Sequence, residues 1–476
     1  MLVAHAQQGN GWLSNTNDKS TYRQALNLEM EDVRKNVHHR SDPEAIYLAS
    51  LSDVLELLIT ENESLFDQYE SAYEKRLRTL SKVNPKTADV LFTSAELRLQ
   101  WAFVYLKFGH EFDAAWNIRQ SYSLTQDCRN KYPRFSPVKK TSGLLNLMLG
   151  SVPDKYQWVL SMLAMQGSVE KGIQELTALQ ADANPVLAQE ASLILYLAQG
   201  LILQQPQLAL AELSQWPEER HMKLSLFLSA VLSLKNAESE KALEYLNALK
   251  SISGGLTVVY ADYLLGEAYL HKGDYTSAIT AYQNFLNRYS GVNFVKDCYY
   301  KIAICYWLLD NPATADEFAR KGIASGREHA EADRYAARSL SEKEFPNPQL
   351  AKIRYAIDGG YYDMAAQLIE AANPDALHTE KERTEFIYRK ARLYHKLNQE
   401  ETCMKFYLQA ISMSGDNPWY FAPNACLQLG YLFRAAGNDK QAAFYFKKAL
   451  SYKKHEYKNS IDSKARSALD QIRKEK

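Results

Sequence analysis

Ten side chains in the second half of the chain have the types and spacing of a recognition surface: Tyr260, Tyr263, Glu267, Tyr300, Trp307, Tyr388, Arg392, His395, Tyr431 and Arg434. All but the first sit three before, one after or four after a small residue, namely Gly266, Ala303, Ala391 or Gly430. Tyr260 lies one turn earlier. Residues at those offsets share one face of a helix. Leu270, Ile304 and Leu427 fill the remaining places in the row. Aromatic area with scattered charge suits the gripping of a partner, because large amphipathic rings anchor interfaces. Bond-breaking chemistry finds no such set. The sequence has no H-E-x-x-H, no Walker loop, no G-x-S-x-G and no G-x-G-x-x-G. His38 and His39 are adjacent and point about 100° apart on a helix, a poor arrangement for sharing a metal. Glu29 and Glu31 fall on the solvated side of an amphipathic helix. Cys128, Cys298, Cys305, Cys403 and Cys426 form no C-x-x-C and are odd in number. They read as small buried hydrophobes rather than a disulfide framework. The expectation is a protein with no catalytic residues, no cofactor and no metal.

The elements that must carry the row are amphipathic helix pairs. Leu256 to Ile323 holds two of them in tandem. Gly266 and Ala278 are twelve residues apart, as are Ala303 and Ala315. Two helices joined by a tight turn cross closely only where side chains are small. Ala102 with Ala114 and Ala230 with Ala242 repeat that interval earlier in the chain. Leu265, Gly266, Tyr269, Gly273, Ala278 and Tyr282 make up one unit. Leu429, Gly430, Phe433, Gly437, Ala442, Phe446 and Ala449 make up another, and Ala391, Tyr394, Cys403, Tyr407 and Ala410 a third. These sets resemble the tetratricopeptide repeat, W-x2-L-G-x2-Y followed by A-x3-F and P. Asp262 stands at the position of the repeat's Trp and Ser290 at that of its Pro. The resemblance implies an all-α, right-handed superhelical solenoid of antiparallel helix pairs. It also implies a non-catalytic scaffold with a protein or peptide ligand on its concave face. Repeats that hold chaperone tails place Asn, Lys and Arg on this face, and the row here is aromatic instead.

The organisation expected along the chain has four parts. Residues 1–19 are a signal remnant and flexible start. Residues 20–250 are a divergent helical-repeat region, opening with one helix over Ser20–Val37. Residues 251–458 are the repeat array, and residues 459–476 are a polar capping helix with Ile461, Ala465, Leu469 and Ile472 on one face. Within the divergent region, Gly150-Ser151-Val152-Pro153, Trp158, Gly167-Ser168 and Gly172 resemble a stretch of the tetratricopeptide repeat protein 39 and inclusion-body-clearance family.

Lys+Arg and Asp+Glu number 56 each. That balance argues against a nucleic-acid binder, which needs a basic surplus. No run of about 18 apolar residues occurs, so no membrane span is expected. Ala4-His5-Ala6 matches a small-x-small cleavage site and points to export, to a bacterial periplasm or envelope. In that setting the aromatic row has a second reading, a glycan- or nutrient-binding helical-repeat protein. Envelope proteins of that kind carry a lipidated Cys after the signal, whereas the first Cys here is Cys128. A cytoplasmic scaffold is the alternative location, and an enzyme with concealed residues is the third functional class.

Overall fold

The computed structural model describes residues 12–152, 164–203, 205–217, 221–342 and 345–474. Ala4-His5-Ala6, Pro153 and Trp158 lie outside the described residues. Helix follows helix from Thr16 to Lys474, and no strand occurs among the described residues. The architecture is an all-α, tetratricopeptide-like array of helix pairs, as the spacing of small residues predicts.

Two compact units divide the chain. The first comprises residues up to 268 with 277–302 and 318–341. The second comprises 269–276, 303–317 and 342 onward.

The first unit opens with Thr16–Leu26 and Met30–Val37. The sequence reading of one continuous helix over Ser20–Val37 is corrected here. Asn27 ends the first helix, and Leu28 turns the chain through a left-handed conformation (φ 61°). The turn is fixed from far along the chain. The Leu28 carbonyl accepts from the Leu256 N–H at 2.8 Å, and a Cβ on Gly255 would lie 2.6 Å from that same oxygen. Only glycine allows the approach. Pro43–Thr60 follows, started by Asp42, whose carboxylate accepts from the Ala45 N–H at 3.1 Å, with proline in the first turn. It ends at Glu61, also left-handed and buried. The Glu61 turn is held by Asn293, whose amide donates to the carboxylate at 2.7 Å across 232 residues, and by an ion pair with Lys107. Glu63–Ser81, Ala88–Phe108 and Glu111–Lys131 come next. Val138–Gly150 then crosses Val169–Gln180 at two glycines: a Cβ on Gly172 would stand 2.7 Å from the Gly143 carbonyl.

In the second unit the helices Pro348–Gly359, Glu380–Lys396, Phe421–Ala435 and Lys458–Lys474 matter most for function. The first two are pinned side by side at their starts. Thr379 and Glu382 form a capping box, and the Asn347 amide, itself the cap of Pro348–Gly359, donates to Glu382 at 3.0 Å. In the final helix Ile461, Ala465, Leu469 and Ile472 are all buried, on the face their spacing predicts. The five cysteines are buried thiols.

Candidate functional site

The structure divides the sequence-predicted row. Tyr263, Tyr300 and Tyr388 are buried, with 4%, 7% and 0% of their surface exposed. Leu270, Ile304 and Leu427 are buried as well. The expectation of partly exposed tyrosines at 263 and 300 is therefore corrected. Residues three before the small position point at neighbouring helices, which cover them. Tyr260, Glu267, Trp307, Arg392, His395, Tyr431 and Arg434 keep partial exposure.

Around Tyr263 the first unit builds a closed polar network. The Tyr263 hydroxyl donates to Asp297 at 2.6 Å and accepts from Lys301 at 2.9 Å. Lys301 pairs with Asp297 at 2.9 Å and with Glu267 at 2.6 Å, and the Tyr282 hydroxyl donates to Glu267. Tyr260 stacks on Tyr263 with ring centres 5.0 Å apart. Asp333 anchors the start of Val295–Leu308 by accepting from the N–H groups of Phe294 and Asp297 at 2.6 and 3.0 Å. The lysine and both carboxylates satisfy one another, so this set holds the repeat together. In the second unit, the Trp307 indole donates to the Pro346 carbonyl at 2.9 Å and stacks on Phe345.

Tyr388 and Arg392 belong to a different kind of place, an open cleft of about 210 Å³ in the second unit. Arg354 and Asp358 come from Pro348–Gly359, and Tyr388, Arg389 and Arg392 from Glu380–Lys396. Asn424 and Leu427 lie on Phe421–Ala435, Ser460, Ile461 and Lys464 on Lys458–Lys474, and Tyr420 and Tyr457 just ahead of those two helices. Arg392 binds Asp358 at 2.7 Å and Arg354 reaches it at 3.6 Å. Burial raises the Asp358 pKa, but Arg392 and Arg354 outweigh it and hold the carboxyl well below its usual range. Arg389 is fixed by Glu385 at 2.5 Å and the Tyr420 hydroxyl at 2.7 Å. The Asn424 amide donates to the Tyr388 hydroxyl at 2.7 Å. Of the cleft residues, sequence reasoning named Tyr388 and Arg392 in the row and Leu427 beside it. It missed Arg354, Asp358 and Arg389, although Arg354 and Asp358 stand at i,i+4 and Arg389 and Arg392 at i,i+3. Those spacings put each pair on one helix face.

His395 lies farther along the same helix, its Nδ1 3.1 Å from the Tyr407 hydroxyl. Burial first, then Lys396 and Arg392, push its pKa down to about 4. An imidazole held neutral in the fold gains a proton on unfolding once pH drops below about 6.5. It therefore subtracts stability progressively from about pH 6.5 down to 4. His395→Gln should flatten the acid-side loss of stability over that window relative to wild type. Urea midpoints at pH 7 and 4.5 check it, and parallel curves for the two proteins would contradict a buried neutral ring. Tyr431 packs edge-on to Phe446, and Arg434 donates to Gln471 at 2.5 Å.

Among the described residues no cluster of three or more His, Cys, Asp or Glu could hold a metal, and no helix is long and apolar enough to cross a membrane. No relative among curated proteins matches the sequence. Solved structures with similar helix arrays include the human IFIT1 dimer with PPP-AAAA. It is 15% identical, with 90% of this chain and 94% of that one covered at a TM-score of 0.33. The APC/C hetero-tetramer Cut9-Hcn1 is 12% identical, with 97% and 95% covered at a TM-score of 0.27. Superpositions this loose transfer neither ligand nor partner. Family models described as tetratricopeptide repeat match residues 260–291, and again 384–417 and 423–456. Residues 260–291, 384–417 and 423–456 are thus tetratricopeptide repeats; Asp297 and Lys301 of the Tyr263 network, and Arg354, Asp358 and Lys464 of the cleft, lie outside those matches.

Proposed function

We propose that this chain is a non-catalytic scaffold whose repeats bind a protein or peptide partner, with the Arg-lined cleft of the second unit as the principal contact. The observation that carries this is the composition of the cleft: Arg354, Arg389, Arg392 and Lys464 against one lining carboxylate, walled by three tyrosines. Arginine and tyrosine are the side chains that concentrate binding energy at protein interfaces. The glycan reading depended on an exposed aromatic row, and three of its tyrosines are buried.

The test compares wild type with the double variant Arg354→Glu, Lys464→Glu as bait in extract of the native host, read by quantitative mass spectrometry. Both proteins should have the same helical circular dichroism. The expected result is a partner recovered at least tenfold less with the variant. An identical set of proteins on both baits removes the cleft from the reading.

Export to a periplasm or envelope is proposed on Ala4-His5-Ala6 alone. N-terminal sequencing of the native protein should then begin at Gln7, and a cytosolic protein that keeps Met1 contradicts it.

A further inference from the structure

The cleft has more specific chemistry than a general peptide contact. Four cationic side chains and one carboxylate line it. Glu385, behind the wall, is spent on Arg389. Cations thus outnumber carboxylates in the lining, which suits an anionic ligand. A phosphomonoester, which carries about −1.5 to −2 at pH 7, brings more charge to it than a carboxylate does.

The geometry agrees with the charge. Arg389 has 2% of its side chain exposed and is clamped by Glu385 and the Tyr420 hydroxyl, so it is a preset positive wall. Arg354 and Arg392 are 31% and 26% exposed, on two helices that are pinned together by Asn347 and Glu382. Guanidinium forks on neighbouring helices can address different oxygens of one tetrahedral anion, and a phosphomonoester offers three of them where a carboxylate offers two in one plane. Asp358 pairs with both forks and is the internal counter-ion with which a bound anion must compete. The volume of about 210 Å³ is below the range of roughly 300–1,000 Å³ typical of pockets for drug-sized ligands. It admits one anionic head group with the side chain that bears it. Leu427 and Ile461 supply an apolar side for that stem.

We propose that this cleft is a binding site for a phosphomonoester dianion carried on a side chain of a bound peptide. This rests on the scaffold reading above and names the ligand chemistry of the same site.

The test is isothermal titration calorimetry on the full chain at fixed ionic strength. The probes are a pool of peptides with one fixed phosphotyrosine or phosphoserine, the same pool after phosphatase, an acidic peptide with Glu at that position, and phenyl phosphate. A 5′-phosphorylated oligonucleotide completes the set. The phosphorylated pool should bind at least tenfold more tightly than its dephosphorylated twin. Arg354→Gln with Lys464→Gln should erase the difference. Asp358→Asn, which removes the internal competitor, should tighten the phosphorylated pool, and this guards against a loss caused only by misfolding. Phenyl phosphate binding as well as the peptides, with the same variant dependence, upholds the phosphomonoester and assigns it to a small molecule. Equal binding of the Glu peptide or of the dephosphorylated pool overturns the phosphate and leaves the scaffold standing. An oligonucleotide that binds more tightly than the phosphopeptides overturns the peptide ligand, and so does binding that ignores all three substitutions.

Discussion

Lys140→Met should destabilise the first unit by about 3–5 kcal/mol, the range for breaking a buried ion pair from one side. Lys140 has 5% of its side chain exposed and lies between two buried carboxylates, Glu96 at 2.7 Å and Glu190 at 3.2 Å. It also donates to the Tyr47 hydroxyl at 2.7 Å, and Tyr47 donates in turn to Glu190. The Thr141 hydroxyl donates to Glu96 at 2.5 Å. One cation therefore answers two carboxylates in a place that water does not reach. Burial lowers the lysine pKa, but Glu190 and Glu96 outweigh it and keep the ammonium charged. Burial raises the Glu190 carboxyl despite Lys140. Without the lysine both acids are left facing each other.

The variant also has a pH signature. A carboxyl whose folded pKa is raised is penalised above that pKa and relieved as pH falls toward the unfolded value, near 4.3. The gap in urea midpoint between Lys140→Met and wild type should be widest at pH 7 and should narrow toward pH 4.5. A midpoint unchanged at pH 7 would show that the three groups do not meet as charges in solution.

Gly266→Val and Gly430→Val form the second large effect, at about 3 kcal/mol each, the upper end of the range for overpacking. The two glycines hold the same place in two repeats. A Cβ at Gly266 would lie 2.7 Å from Cζ of Tyr282, and one at Gly430 would lie 2.9 Å from Cζ of Phe446. Both rings are fully buried and cannot step aside. Alanine at either site gains about 0.8–1 kcal/mol of helix propensity, which offsets part of the clash. Valine gains less of it and adds two methyl groups. Reducing the opposing ring should rescue the fold: Gly266→Val with Tyr282→Leu should recover part of the thermal midpoint lost by Gly266→Val alone. A double variant no better than the single one would place the strain elsewhere.

The same glycines show how much the sequence discloses. Small residues twelve apart, with rings sixteen after Gly266 and Gly430, specify the crossing of a helix pair, and the fold follows from that. Helical offsets give Tyr263, Tyr300 and Tyr388 the same place on their own helices, and all three are buried there. What periodicity does not encode is whether that face meets solvent or the next helix. Tyr263 looks like a ligand anchor until Asp297 and Lys301 are seen to close on its hydroxyl. The cleft was harder still to read. Arg354, Arg389 and Lys464 come from three helices, and each alone resembles the charged side of an amphipathic helix. Only the packing brings them to one opening. The break at Leu28 was illegible for a related reason. Leucine rarely adopts positive φ, and the contact with Gly255 and Leu256 that fixes it comes from far along the chain.

That distant fastening has a consequence during synthesis. The turns at Leu28 and Glu61 leave the ribosome early, yet Leu256 and Asn293 complete them. The Glu61–Asn293 contact spans 232 residues, which a ribosome adds in roughly 10–50 s at about 5–20 residues per second. For that interval the helices already made stand with both turns unfastened, and the growing chain is open to capture by chaperones or proteases. Pausing between Glu61 and Asn293 would lengthen the exposure, and pausing beyond Asn293 would not.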